Sequence, residues 1–132
     1  MPLTGAMRLS ASGMTAERFR MDVLSSNIAN ANSMQIKGGP EPYRRREVVL
    51  RAEEGGVKVV GVVQDPLERR PFRQVYDPGT PNAVNGYVTS SNVEPVYEMV
   101  NMLSASRAYE ANVAAFNSAK AMVKSALDIG KV

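Results

Sequence analysis

Cysteine, histidine and tryptophan are all missing from this 132-residue chain. Without cysteine it has no disulfides and no thiolate metal sites. Without histidine it lacks the commonest metal ligand and the usual general base near neutral pH. The usual hydrolytic triads, zinc chemistry and thiol redox chemistry fall with them, whereas carboxylate or lysine catalysis does not. Aromatic residues are only 6%, so the apolar content is mostly Ala, Val, Met and Leu, which suit helix packing better than a thick sandwich core. A one-sided charge is also missing: a formal +3 does not direct the chain to nucleic acid or anionic lipid. No apolar run approaches the roughly 20 residues of a membrane span. The start, Met1-Pro2-Leu3-Thr4-Gly5-Ala6-Met7, lacks the charged head and apolar core of a cleaved secretory signal. These absences predict a protein that stays in the cytosol or leaves it by a route needing no such signal. The length suits one domain, or a long helical hairpin with an insert, and not two cores.

What is present is periodicity at both ends. Met102, Ala105, Tyr109, Asn112, Phe116, Ala119, Val123 and Ala126 follow one another at steps of three and four. On a helix over 95–130 they form one heptad seam, broken in its apolar character only by Asn112. Residues 3–32 predict a second helix. Met7, Met14, Met21 and Ile28 recur every seven, with Leu24 and Ala31 between them, and Ser10 and Glu17 make this seam more polar. The methionine stripe suits an ordinary core, and also an interface with non-identical neighbours. Gly5 and Gly13 each cost about 1 kcal/mol of helix propensity relative to Ala. The helix should fail near Asn30-Ala31-Asn32-Ser33, because Asn accepts left-handed geometry and competes for backbone hydrogen bonds. The amides of Asn27, Asn30 and Asn32 can end the helix or bond a neighbouring backbone, and the sequence does not choose between these.

Between the helices lies a different composition. Lys37-Gly38-Gly39-Pro40-Glu41-Pro42 reads as a loop and Tyr43–Arg51 as a strand. Glu53-Glu54-Gly55-Gly56 predicts a hairpin turn into a strand over Val57–Val63, with Val57, Val59 and Val63 on one face and Val60 and Val62 on the other. Phe72–Tyr76 predicts a third short strand, Asp77 to Asn82 a loop and Asn85-Gly86 a turn. Ser91 or Asn92 is the expected N-cap of the last helix, with Glu94 and Glu98 complementing its dipole and Gly130 as its stop. The fold class is therefore mainly α with a small β insert. A long antiparallel, coiled-coil-like pair of N- and C-terminal helices (1–33 and 95–132) flanks a hairpin-containing middle (34–94). Two helices of about 45 and 53 Å leave much apolar area uncovered, which predicts association with further chains.

Arg44-Arg45-Arg46, with Arg51, Arg69, Arg70 and Arg73, forms the most basic region. A nucleic-acid-binding module using Arg44–Arg73 is the alternative function. It would want interleaved aromatics, and only Tyr43, Phe72 and Tyr76 are near. Glu41, Glu47, Glu53, Glu54 and Glu68 blunt the field, so a solvated or subunit-contacting face is the better reading. Asp65, Glu68 and Asp77 could pair for acid–base work, but no periodicity gathers them and no phosphate loop or metal spacing accompanies them. No enzymatic activity, cofactor or metal site is expected.

Ser26-Asn27-Ile28-Ala29-Asn30-Ala31-Asn32-Ser33 resembles the signature that ends the first helix of bacterial flagellar rod and hook proteins. The Thr-x-Gly-Tyr that often follows is absent. A Gly/Pro loop and Pro42-Tyr43-Arg44 stand there instead, which resembles the C-type proximal branch of the family. Tyr76-Asp77-Pro78-Gly79, Asn85-Gly86-Tyr87-Val88, Asn92-Val93 and the run from Glu98 to Val113 look like that branch's later landmarks, in order. The resemblance implies a structural subunit of the flagellar proximal rod in the periplasm. Its terminal helices would pack into a helical tube that transmits torque and encloses the export channel. It implies copies of itself and neighbouring proximal- and distal-rod subunits as partners, and passage through the flagellar type III export apparatus. The expected assembly surface is Met7, Met14, Met21, Leu24, Asn27, Ile28, Asn30 and Asn32 on the first helix. On the last it is the seam from Met102 to Ala126, with Asn112 fixing register.

Overall fold

Two helices carry the molecule: α1 (Pro2–Ala29) and α2 (Pro95–Ile129). The structure, a computed structural model, describes residues 2–35, 38–81 and 83–131; Lys37 and Asn82, in the two expected loops, lie outside these. The helices run antiparallel against each other. Gly13 meets Asn112 and Asn27 meets Glu98, so opposed contacts lie two heptads apart on both helices. Most residues of the predicted seams are at least partly withdrawn from solvent, and Ala126 is not. Ser10, Leu24, Ala105 and Ala119 are buried, while Met7, Met14, Met21, Ile28, Met102, Tyr109, Asn112, Phe116 and Val123 are half-buried. Carried along this register, Pro2 falls near Val123, and α2 overhangs its partner. Every described residue from Lys124 onward is exposed.

Gly13 explains its own cost in helix propensity. A Cβ there would lie 2.7 Å from the Asn112 amide, whose Nδ2 donates to the Ala108 carbonyl at 3.0 Å. The missing side chain lets the helices approach and gives Asn112 its slot. At the end of α1, Asn30 Nδ2 donates to the Ser26 carbonyl at 2.8 Å, and Arg73 Nη2 donates to the Ala31 carbonyl at 2.8 Å. Asn30 N and Ala31 N close the last turn on the Ser26, Asn27 and Ile28 carbonyls, and the chain turns away.

The middle forms two separate two-stranded antiparallel sheets. β1 (Arg46–Glu53) pairs with β2 (Gly56–Gln64), turning at Glu54-Gly55. Val49 pairs with Gly61 and Leu50 with Val59, so Val60 is left unpaired in a bulge. The strict alternation expected for Val57 to Val63 is broken there. β3 (Arg73–Tyr76) pairs with β4 (Tyr87–Ser90), a strand that follows directly on the Asn85-Gly86 turn and was not among the expected ones. Asn85 and Gly86 take positive φ (53° and 83°), and Tyr76 and Tyr87 stack edge to face at 5.3 Å beside them. Residues 33–35 run beside β4, with Gln35 N donating to the Thr89 carbonyl at 2.9 Å.

The first hairpin lies lengthwise on α1. Its base is held at Asn27, and near its tip Val57 N donates to Ser12 Oγ at 3.1 Å. The fifteen residues from Ser12 to Asn27 rise about 22 Å, close to the length of an eight-residue strand. α2 starts later than the expected cap. Glu94 is the N-cap, without a side-chain bond, and Pro95 opens the first turn, where its missing N–H is harmless. Ser91 and Asn92 are employed elsewhere. Gly130 ends the helix in a right-handed conformation, with its N–H still bonded to the Ala126 carbonyl at 3.2 Å.

Gly13→Ala should lower stability by about 1–2 kcal/mol despite the propensity gain of Ala, because overpacking against Asn112 outweighs it. In an Asn112→Ala background the same change should raise stability. Urea unfolding of the four proteins in this cycle checks the sign change, and equal effects in both backgrounds would contradict the keyed contact.

Candidate functional site

Among the described residues most of the large, completely buried side chains are polar, and a group of them gathers where the two helices and the insert meet. Glu98 and Asn27 are fully buried, and Asp65, Asn92 and Arg45 nearly so. Asn27 stands one turn from the end of α1 and Glu98 in the first turn of α2. Arg45 immediately precedes β1, and Asp65 immediately follows β2. Antiparallel pairing places those two side by side, with Asp65 N donating to the Arg45 carbonyl at 2.8 Å.

Asn27 uses its whole hydrogen-bonding capacity. Its Nδ2 donates to the Arg46 carbonyl at 2.8 Å and to Glu98 Oε2 at 3.2 Å. Its Oδ1 accepts from the Tyr43 hydroxyl at 2.9 Å and from Arg46 N at 3.1 Å. A buried amide with both donors and both acceptor sites filled is inserted without penalty and fixes all its partners. Asn92 acts likewise, accepting from Arg45 N at 2.6 Å and donating to the Arg70 carbonyl at 3.0 Å.

The Arg45 guanidinium bridges the two buried carboxylates. Its Nε donates to Glu98 Oε1, and its Nη1 donates to Asp65 Oδ2 at 3.1 Å. Arg70 Nε lies 3.3 Å from the same Asp65 oxygen, off its hydrogen-bonding direction, and Arg69 Nε is 3.9 Å from Asp65 Oδ1. The Arg45 and Arg70 guanidiniums lie over the Tyr97 ring, at 5.3 and 4.5 Å from its centroid. Burial alone would lower the pKa of Arg45. The hydrogen bond to Glu98 and its charge, followed by Glu47 and Asp65, outweigh burial and hold it above its ordinary value. A raised folded-state pKa means that Arg45's contribution is complete below the ordinary arginine range and is lost only above it. The Arg45 guanidinium therefore stays charged at every pH at which the protein is handled.

The structure divides the sequence-predicted residues into two groups. Of the seam residues, Leu24, Ala105 and Ala119 are buried and Met7, Met14, Met21, Ile28, Met102, Tyr109, Asn112, Phe116 and Val123 half-buried, and Asn27 lies in the junction. Asn30, Asn32 and Ala126 are exposed. Arg45, Asp65, Glu98, Asn92 and Tyr43 are the residues the sequence did not single out as a unit. Their partners lie 20 to 53 positions apart for the arginine bridge, so no local spacing could have signalled them. The basic stretch serves mainly inside the chain. Arg45 is buried, Arg44 and Arg73 donate to backbone carbonyls, and Arg46 lies over the Tyr43 ring. Among the described residues no group of His, Cys, Asp or Glu is placed to hold a metal ion, and no helix is long and apolar enough to cross a membrane.

Two family models match the ends of the chain. One described as flagella basal body rod protein covers residues 7–33, and one described as flagellar basal body rod FlgEFG protein C-terminal covers residues 84–129. The two spans contain Asn27, Asn92 and Glu98. Full-length relatives cover the insert as well. The chain is 40% identical over 148 residues to the flagellar basal-body rod protein FlgC of Bacillus subtilis (strain 168), covering 96% of this chain and 97% of that one. It is 39% identical over 138 residues to FlgC of Salmonella typhimurium, and 41% identical over 138 residues to FlgC of Escherichia coli O6:H1. Each of these alignments covers 99% of this chain and 100% of the relative.

Glu98→Ala should destabilise the protein by about 3–5 kcal/mol, because it leaves a buried guanidinium short of its partner. Glu47→Ala, removing a half-exposed carboxylate 3.8 Å from the same arginine, should cost no more than about 1 kcal/mol. Equal losses in denaturant unfolding would contradict the weight placed on the buried bridge.

Proposed function

The chain belongs to the FlgC family of flagellar basal-body rod proteins, and we propose that it is built into that rod as a structural subunit through its terminal helices. In this reading α1 and α2 form a coiled-coil-like pair that packs with other copies and with neighbouring rod subunits into a helical tube. The tube transmits torque and surrounds the export channel. The subunit reaches the rod through the flagellar type III apparatus and performs no catalysis.

The observation that carries this reading is the uncovered face of α2. Val96, Met99, Val100 and Leu103 are 74%, 55%, 62% and 53% exposed. Their spacing of three and four puts them on one stripe, turned away from the seam that faces α1. Between Val96 and Ala119 the charged residues are the buried Glu98 and the exposed Arg107 and Glu110. A helix this poor in charge on both faces belongs inside a larger assembly. The hairpin is seated on α1, and among the described residues neither of its strands makes a comparable contact with α2. One helix is shielded by the insert and the other is left bare for neighbouring subunits, with Asn30, Asn32 and the overhang at Ala126 at the two ends of the pair. The alternative, nucleic-acid binding through Arg44–Arg73, gains nothing from arginines already bound to carboxylates, carbonyls and rings.

Val100→Asp combined with Leu103→Asp should leave the helical circular dichroism of the protein intact and abolish rod assembly. In the producing strain, swimming should fall to the level of a deletion strain, and electron microscopy should show incomplete basal bodies. Complete basal bodies and normal swimming in that double variant would sink the assignment of this face to subunit packing.

A further inference from the structure

We infer that the Arg45 junction is a stiff angular joint that carries mechanical load between the helix pair and the β insert; the inference rests on the rod reading above. The chain enters the insert after α1 and leaves it before α2, and both passages run through this one point. The bonds there are directional and point along different axes. Arg45 reaches Glu98 on α2 and Asp65 at the end of β2, 3.1 Å away. Asn27 on α1 holds Glu98 at 3.2 Å and both polar groups of the Arg46 backbone at 2.8 and 3.1 Å. Rotating the insert against the helices in any sense breaks at least one of them.

The remaining grip of the hairpin on α1 lacks that property. Near its tip the hydrogen bond is the exposed one from Val57 N to Ser12 Oγ. Between tip and base Ala16 and Phe19 lie beside Val57 and Val59, and apolar contacts resist separation but allow sliding. Angular stiffness therefore resides at the base. Its bonds are out of water and little weakened by salt. Stability alone does not account for an ionic network here, because well-packed apolar residues of similar volume stabilise a buried site as well or better. What the ionic version adds is a fixed geometry.

The same comparison supplies the test. Arg45→Met with Glu98→Leu and Asp65→Leu fills the site with apolar side chains, and Arg45→Lys keeps the charge but loses the planar fork that reaches two carboxylates at once. Swimming speed is measured against medium viscosity in strains producing each variant, and basal bodies are counted by electron microscopy. The expected result is a normal number of complete rods, with speed in viscous medium falling about twofold further than wild type. Speed–viscosity curves that coincide with wild type overturn the joint. Absence of rods with both variants overturns it too, since the network would then serve folding or assembly only. A deletion strain that still builds rods and swims sinks the rod reading beneath it.

Discussion

One guanidinium, that of Arg45, ties the last helix to the middle of the chain by bridging a carboxylate on α2 and another at the end of β2, and Asn27 joins α1 to the same glutamate. Everything the sequence separates by long distances meets there: the asparagine of the first helix, the glutamate of the last, and the base of the hairpin. Removing charges from water is expensive, and the bridge is tolerable only because each member has further partners. Asn27 donates to Glu98, Arg69 and Arg70 bring their charges beside Asp65, and Tyr97 presents its ring face to the guanidinium. The network does not stand in for a large apolar core. It specifies how three elements are oriented around a small one.

That small core has a consequence for function. Among the described residues the buried apolar side chains are few and mostly small, namely Ala16, Leu24, Ala31, Val88, Val93, Ala105 and Ala119. Two helices touching along one seam cannot hide all their apolar surface, and the back of α2 stays bare from Val96 to Leu103. Helices whose stability comes from tertiary packing are completed by whatever covers that surface. In the proposed assembly that cover comes from neighbouring rod subunits.

The helices were legible because heptad spacing is local. The steps of three and four from Met102 to Ala126 and the sevens from Met7 to Ile28 located both helices, and the contacts of Gly13 with Asn112 and Asn27 with Glu98 set the register between them. The turns at Glu54-Gly55 and Asn85-Gly86 were legible for the same local reason. The bulge at Val60 was not, because it is set by the pairing of two strands and not by either sequence. Nor was the junction, because Arg45, Asp65 and Glu98 look like ordinary charged residues until the chain folds. Asn27 showed the ambiguity most clearly. Its amide could end a helix or bind a backbone, and in the structure Asn30 ends the helix while Asn27 binds the Arg46 backbone inside its own chain.

A cryo-electron-microscopy map of the intact flagellar rod, at side-chain resolution in the layer occupied by this subunit, tests the central claim most directly. The account predicts continuous density from Arg45 to Glu98 and Asp65, the hairpin seated along α1, and the Val96–Leu103 face of α2 pressed against helices of adjacent subunits. Density showing Arg45 turned out to a neighbour or to solvent, with the hairpin lifted from α1 and the back of α2 facing water, would contradict it.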